Sequence, residues 1–323
     1  MKRTLLTVSF LALAMSLARA ESPSGTLLVT NKGDRSLSLI DPSTNKQIAV
    51  IPEEGVTGHE LAASPDGKLA YVPIYGDAGV GKVGSDGQLM RVIDLEKRAI
   101  VGTVDFGKGV RPHCAVYCKA NGMLYVTTEN DKTISIIDPA TLKIVGTVPT
   151  DQEQSHMLAI TKDGKRGYTV LDLEAKKVVK IIPISKMTQR ISLSQDDKLA
   201  FTADQFDPSI VVIDTATNEV KNRIVLPDIG YGTATTPDGK LLVVALININ
   251  EVAIVDLATM KVSATVKVPK APQEVLIRPD GAVAYVSCDA SAKVAVIDLK
   301  EPKVITLIDA GKTADGLAWA KGK

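Results

Sequence analysis

Each of the three histidines in this chain stands twelve residues before a tyrosine: His59 before Tyr71, His113 before Tyr125 and His156 before Tyr168. No other histidine occurs, so the whole imidazole content shares one recurring position. Three neutral imidazoles brought together suit Zn²⁺ or Cu²⁺, with a coordination position left open for water or a ligand. An all-nitrogen site leaves the ion its full charge, which makes it a Lewis acid able to generate hydroxide near neutral pH. Motifs for other chemistry are weaker. Ser155 adjoins His156 but lies in no GxSxG elbow, and there is no CxxC or HExxH. The glycine-rich GDAGVGKVGSDG, residues 76–87, suggests phosphate cradling, yet no helix follows it and no G-K-[ST] occurs.

A shared column requires a repeating unit to create it. Aligned on aromatic or aliphatic anchors, the chain shows the same unit seven times: Leu28 leads to Asp41, Tyr71 to Asp94, Tyr125 to Asp138, Tyr168 to Asp172, Phe201 to Asp214, Val243 to Asp256 and Tyr285 to Asp298. In five of the seven the gap is thirteen residues. β-Branched runs such as ISIID (134–138), IVVID (210–214) and VAIVD (252–256) alternate with turn chemistry at Ser64-Pro65-Asp66-Gly67, Thr236-Pro237-Asp238-Gly239 and Arg278-Pro279-Asp280-Gly281. Four strands per unit of about 43 residues, repeated seven times, predict an all-β, seven-bladed β-propeller of the WD40-like repeat type. The register begins at a second strand, residues 25–30, and ends with a first strand, residues 315–320. The N- and C-terminal strands are therefore expected to complete one blade and close the ring without exposed edges.

Read across all seven units, the histidine column holds His59, His113, His156, Gln189, Tyr231, Gln273 and Asp315, every one able to hydrogen-bond. Next to it stand Glu60, Arg190 and Glu274. Strand alternation predicts that one member of each adjacent pair faces the channel and the other the neighbouring blade. The histidine set is expected to face the lumen. Gln189, Arg190, Tyr231, Gln273, Glu274, Asp315 and Glu60 are candidate ligand-binding residues, and the three histidines are candidate metal ligands. Two units break the pattern at the loop between their second and third strands. Ten residues are added between Tyr71 and Asp94, expected to form a flap over the channel mouth, and about nine are missing after Tyr168, where a strand is expected to be lost or fused. The alternative for the column is a polar lining that hydrogen-bonds to channel water.

The segments LVTN (28–31) and YVTT (125–128), with the IDPxT turns at Asp41 and Asp138, resemble the YVTN-repeat β-propellers, the family of bacterial periplasmic YncE-like proteins. The resemblance spans residues 26–320 and implies the fold and an exported protein. Relatives of this kind include binding, cell-surface and lactonase-like proteins, so it leaves activity open.

Residues 1–20 read as a signal peptide: Lys2 and Arg3, an apolar run over 5–17, and Ala18-Arg19-Ala20 before Glu21. That run is too short for a membrane span. Residues 21–323 are expected to form one propeller domain in the periplasm, monomeric and not inserted in the membrane. With 38 basic and 37 acidic side chains there is no electrostatic footprint for nucleic acid. Three cysteines cannot all pair within one chain. Cys114 and Cys118, four apart in a strand, hold their Cα atoms roughly 13 Å apart, too far for a bridge. They read as buried thiols, or in the case of Cys114 as a soft metal ligand beside His113. The repeat and its histidine column thus predict a propeller that binds a small molecule or a metal ion, Zn or Cu, at the channel mouth. A metal-assisted lyase or lactone hydrolase is the first alternative and a scaffold for a periplasmic protein partner the second.

Overall fold

The computed structural model describes residues 23–77, 79, 80, 82–153, 155–168, 171–185 and 187–322. The expected signal peptide therefore lies outside the described residues.

Seven four-stranded antiparallel sheets form the ring. We number the blades from the one that holds both termini. Blade 1 has the strand order Ala314–Lys321, Gly25–Asn31, Ser36–Asp41 and Lys46–Pro52, so the last strand of the chain is the innermost strand of the blade in which the chain begins. Blades 2 to 7 follow in chain order, with inner strands Ala62–Ala63, Pro112–Cys118, Ala159–Ile160, Thr188–Leu193, Gly230–Thr235 and Pro272–Ile277.

The sequence specifies these strands in a simple way. Second and third strands carry consecutive apolar residues because a neighbouring blade covers both of their faces; Leu241–Leu246 and Ser209–Asp214 are buried over nearly their whole length. Outer strands such as Lys261–Lys267 alternate exposed with half-buried or buried positions, with one face in water. The aspartate ending each third strand accepts backbone N–H groups two or three residues on, as Asp138 does from Ala140 and Asp214 from Ala216. These Asx turns reverse the chain into the outer strand.

Adjacent blades meet in apolar clusters, one at each of the seven interfaces. Since burying one Leu or Val side chain contributes ~1.5–3 kcal/mol, these interfaces hold the ring together. They are unequal. Among the described residues, the clusters between other blades contain nine to twelve buried side chains, whereas that between blades 4 and 5 contains Tyr168, Ala200, Val211 and Ile213.

Blade 4 corrects one expectation. It has neither lost nor fused a strand: Ala159–Ile160, Arg166–Tyr168, Leu171–Asp172 and Lys177–Val178 form a complete sheet with strands of two or three residues. Deleting a whole middle strand would send an antiparallel chain to the wrong face and bare an edge. Shortening the strands on either side of the loop absorbs the deletion and preserves the direction of the chain.

Closure depends on the ladder between Gly25–Asn31 and Ala314–Lys321. Removing residues 315–323 should bare the edges of the second strand of blade 1 and uncover the clusters toward blades 7 and 2. The shortened protein is expected to aggregate or to melt many degrees below the full chain in a calorimetric scan; an unchanged melting temperature would refute closure by this strand.

Candidate functional site

All seven column residues, His59, His113, His156, Gln189, Tyr231, Gln273 and Asp315, line one cavity of about 220 Å³, one residue from each blade. Each stands where its blade's innermost strand begins. The ladder register slips at this point in several blades, between Pro112 and Ala115, Gly230 and Thr233, and Pro272 and Val275. Such bulges re-aim side chains at the rim of a sheet. The inner strands also approach each other closely here. A Cβ on Gly232 would lie 1.9 Å from the carbonyl oxygen of Gln273, and one on Gly316 would lie 2.5 Å from that of His59.

The threonine of the YVTN-like motif has a specific task in this arrangement. Thr30 Oγ1 donates to the carbonyl oxygen of His59 at 2.7 Å, and Thr127 Oγ1 to that of His156 at 2.9 Å. In each pair the threonine is on the second strand of one blade and the histidine belongs to the next blade, so the hydroxyl clips one blade's column position to its neighbour.

The three imidazoles converge. The rings of His113 and His156 stack with centroids 3.5 Å apart, and His59 meets His113 edge-on at 5.3 Å. Burial, opposed by Asp315, lowers the His59 pKa to about 4, and burial together with the neighbouring imidazoles holds His113 well below the usual histidine range. Both rings are therefore neutral at pH 7. Nδ1 of His113 lies 3.2 Å from the carbonyl oxygen of His156 and must carry the proton, because a carbonyl only accepts. Nδ1 of His156 lies 3.2 Å from Glu129 Oε2, and Nδ1 of His59 lies 3.8 Å from Asp315 Oδ2. Hydrogen bonding at Nδ1 favours the tautomer with a bare Nε2 lone pair on His113 and His156, whereas the Asp315 oxygen stands beyond hydrogen-bond distance of His59. Among the described residues, no group of three or more His, Cys, Asp or Glu side chains stands in metal-holding geometry.

Behind this column lies a second one that the sequence reading missed. Four residues past the anchors Leu28, Tyr71, Tyr125 and Tyr285 come Lys32, Tyr75, Glu129 and Asp289. The same periodic count that revealed the histidines would have found them. Tyr75 is fully buried, and its ring centroid lies 4.8, 5.2 and 5.8 Å from those of His59, His113 and His156. Its hydroxyl donates to Glu129 Oε2 at 2.8 Å. Glu129 Oε1 lies 3.5 Å from Arg111 Nη1, and Arg111 Nη2 donates to the carbonyl oxygen of Lys82 in the inserted segment. Gly79 and Val80 of that segment line the cavity, so the insertion does reach the channel mouth.

The neighbours of the column behave differently from the alternation expected of them. Arg190 is almost fully buried; Nη1 pairs with Glu60 Oε1 at 2.5 Å and with Glu274, and Nη2 with Asp315 Oδ1 at 3.0 Å. Members of the two sets thus meet in one ion cluster, because the bulges break strict alternation. Lys32 adds a second cation, 3.1 Å from Asp315 and 3.2 Å from Asp289. Burial pushes Glu60 up to about 7 against the pull of Arg190. Burial also works against the Asp315 carboxylate, but Lys32 and Arg190 outweigh it and hold that group below its usual range. Arg190, Glu60, Glu274 and Asp315 accordingly contact one another first, while Gln189, Tyr231 and Gln273 turn uncharged polar groups to the cavity. Cys114, Cys118 and Cys288 are all buried and unpaired. Burial drives the Cys114 thiol up to about 12, so in the absence of an ion it is a neutral thiol at pH 7.

The fold and the polar-lined channel define a seven-bladed β-propeller with a closed ring. The chain belongs to the family described as a domain of unknown function, DUF5074, matched over residues 113–306. No curated protein matches the sequence. Among solved structures, it is similar in fold to a chain of Kuenenia stuttgartiensis hydrazine synthase, with TM-score 0.72 and 19% identity over 89% of this chain and 99% of that one. It is similar also to the dihydro-heme d1 dehydrogenase NirN, solved in complex with DHE, with TM-score 0.68 and 15% identity over 93% of this chain and 76% of that one. A functionally unknown protein from Desulfotomaculum acetoxidans DSM 771 aligns with TM-score 0.72 and 13% identity, over 93% of this chain and 100% of that one.

Two predictions follow from the charges. Replacing Arg190 with Met leaves Glu60, Glu274 and Asp315 without their guanidinium, and stability measured by denaturant unfolding at pH 8 should fall by about 3–5 kcal/mol. The second concerns Glu53, which is fully buried, accepts one bond from the Gly58 amide at 2.8 Å, and is pushed by burial from an ordinary 4.5 up to about 7. Because the folded-state value is raised, the stability this carboxyl contributes is complete below about pH 4.5 and is lost as pH rises to about 7. Relative to wild type, Glu53→Gln should therefore gain on the order of 2–3 kcal/mol between those limits. Unfolding curves of both proteins at pH 4 and pH 8 check it, and parallel curves would refute it.

Proposed function

We propose that this propeller binds a small ligand at the mouth of its central channel through His59, His113 and His156, and that a divalent transition-metal ion, Zn²⁺ or Cu²⁺, suits the donor set best. The observation that carries this reading is the backing of the three rings. Each Nδ1 has an oxygen at 3.2 to 3.8 Å, from Asp315, the His156 carbonyl and Glu129 for His59, His113 and His156 in turn, and all three residues line the cavity. Carboxylate or carbonyl backing of this kind orients metal-binding imidazoles and raises their basicity.

Burial has already removed the protons that would compete with an ion on His59 and His113. Gln189, Tyr231 and Gln273 complete the lining and would orient water or a small molecule beside the imidazoles. Capture of one ion by His113 and His156 together requires their stacked rings to splay. The YVTN-like repeats and the N-terminal sequence support an exported, periplasmic binding protein of the YncE-like kind, with the ring closed as a monomer.

Titrating Zn²⁺ and Cu²⁺ calorimetrically into protein without a histidine tag tests the proposal. One site is expected, weakened roughly tenfold or more by each single His→Ala change and abolished by double changes. The share contributed by His59, read as the difference between wild type and His59→Ala, should persist at pH 5.5 and fade near 4, where that ring is protonated. Wild-type binding no tighter than that of the triple alanine variant would reduce the column to a polar channel lining, and an interaction scaffold would then be the better reading.

A further inference from the structure

A second cavity, of about 510 Å³, opens between blades 4 and 5. Among the described residues it lies at the interface with the smallest apolar cluster, beside the blade whose strands are cut to two or three residues. The missing residues of blade 4 thus leave space that side chains fill elsewhere in the ring. Its volume is within the range of roughly 300–1,000 Å³ usual for ligand pockets.

The walls are of two kinds. Tyr168, Ile182, Ile184, Ile191 and Ile213 supply an apolar side, and the segment 180–185 that follows blade 4 forms much of the wall. Toward the channel the wall changes to His156, Gln189 and Arg190, and these same three residues line the central cavity. Val80 of the inserted segment and Met157 are also common to both. The two cavities therefore adjoin across His156, and the insertion in blade 2 reaches over the place where the deletion in blade 4 leaves room.

We propose that the lateral cavity is a binding site for an elongated amphiphile whose apolar body lies between blades 4 and 5 and whose uncharged hydroxyl head reaches His156. The apolar body follows from the isoleucine wall, since burying such surface contributes about 25 cal/mol per Å². The head follows from the polar end. His156 presents its Nε2 as an acceptor once Nδ1 is turned to Glu129, so it takes a donor. A carboxylate head at this end would face a lone pair; Arg190 is already paired with Glu60, Glu274 and Asp315, and Lys180, another cation on the walls, is partly exposed and paired with Glu219. An ammonium head stripped of water would need three acceptors, more than the His156 lone pair and the Gln189 amide oxygen supply. The head-group assignment rests on the imidazole tautomer argued above and holds for the metal-free protein, because an ion on His156 would occupy the same lone pair; the apolar site depends on neither.

The test uses the mature protein and the fluorescent neutral probe 1-aminoanthracene, displaced by 1-decanol or by decanoate. Saturable fluorescence at one equivalent is expected, with 1-decanol displacing the probe at least tenfold better than decanoate. Ile181 lines the cavity and is 55% exposed, so Ile181→Asp should weaken 1-decanol roughly tenfold without unfolding the blade. Ser185→Trp, at another exposed wall position, should block the same space by filling it. His156→Ala should abolish the preference for the alcohol over the acid. Non-saturable fluorescence, or 1-decanol binding unchanged in both wall variants, would overturn the site. Decanoate displacing as well as 1-decanol would overturn the head-group assignment. Zn²⁺ titration of Ile181→Asp separates the two proposals: metal binding kept with decanol binding lost is the expected result, and retention of decanol binding in a protein that binds no metal would confine failure to the imidazole reading.

Discussion

A guanidinium buried at the centre of a ring of sheets must find its counter-charges across the channel, and that demand organises this molecule. Arg190 enters from blade 5, whereas Glu60, Glu274 and Asp315 come from blades 2, 7 and 1. The apolar clusters join neighbouring blades; this ion cluster joins blade 5 to three blades with which it shares no sheet interface. An ion with its hydration stripped away tolerates little misplacement of its partners, because the cost of leaving it unpaired runs to several kcal/mol. The cluster thereby fixes how far apart the inner strands stand at the channel mouth, and with that the width of the cavity the histidines line. Carboxylates outnumber cations here, and the upward push on Glu60 relieves the excess by favouring its neutral form near pH 7.

The ring is also a device for making three single histidines into a group. Within one blade an imidazole at the start of an inner strand has no like neighbour, and only the repeat angle brings His59, His113 and His156 within stacking distance. The repeat supplies the means of holding them as well. Thr30 and Thr127, ordinary strand residues in their own blades, clip the carbonyl of the next blade's column residue, so the threonine of the motif serves fold and site together. Tyr75 packs against all three rings and hands its proton toward Glu129, which backs His156.

The two departures from regularity compensate each other in space. Blade 4 is short where blade 2 is long, and Val80 of the long segment stands at both cavities. A fully regular seven-fold ring would have an apolar cluster between blades 4 and 5 like the other six, and one small central cavity. The irregular ring instead adds an apolar space beside a polar one. Compensation of this kind keeps the ring closed, since every blade still offers four strands to its neighbours.

The sequence by itself determined the seven-fold repeat, the closure by both termini and the column of hydrogen-bonding residues, because each is a matter of period. Strand chemistry recurs at fixed spacing, and residues at equal phase in a closed ring must come to equal height. Counting alone placed His59, His113, His156, Gln189, Tyr231, Gln273 and Asp315 together, and the same count would have revealed Lys32, Tyr75, Glu129 and Asp289. Distances across the channel have no period. Whether Arg190 meets Glu60 depends on how the inner strands of blades 5 and 2 approach across the ring, and whether a deletion removes a strand or shortens its neighbours depends on keeping the chain's direction. Protonation likewise followed from burial, a property of the assembled ring: the same histidine that titrates near 6.5 in an open chain is held to about 4 at position 59 by the walls around it.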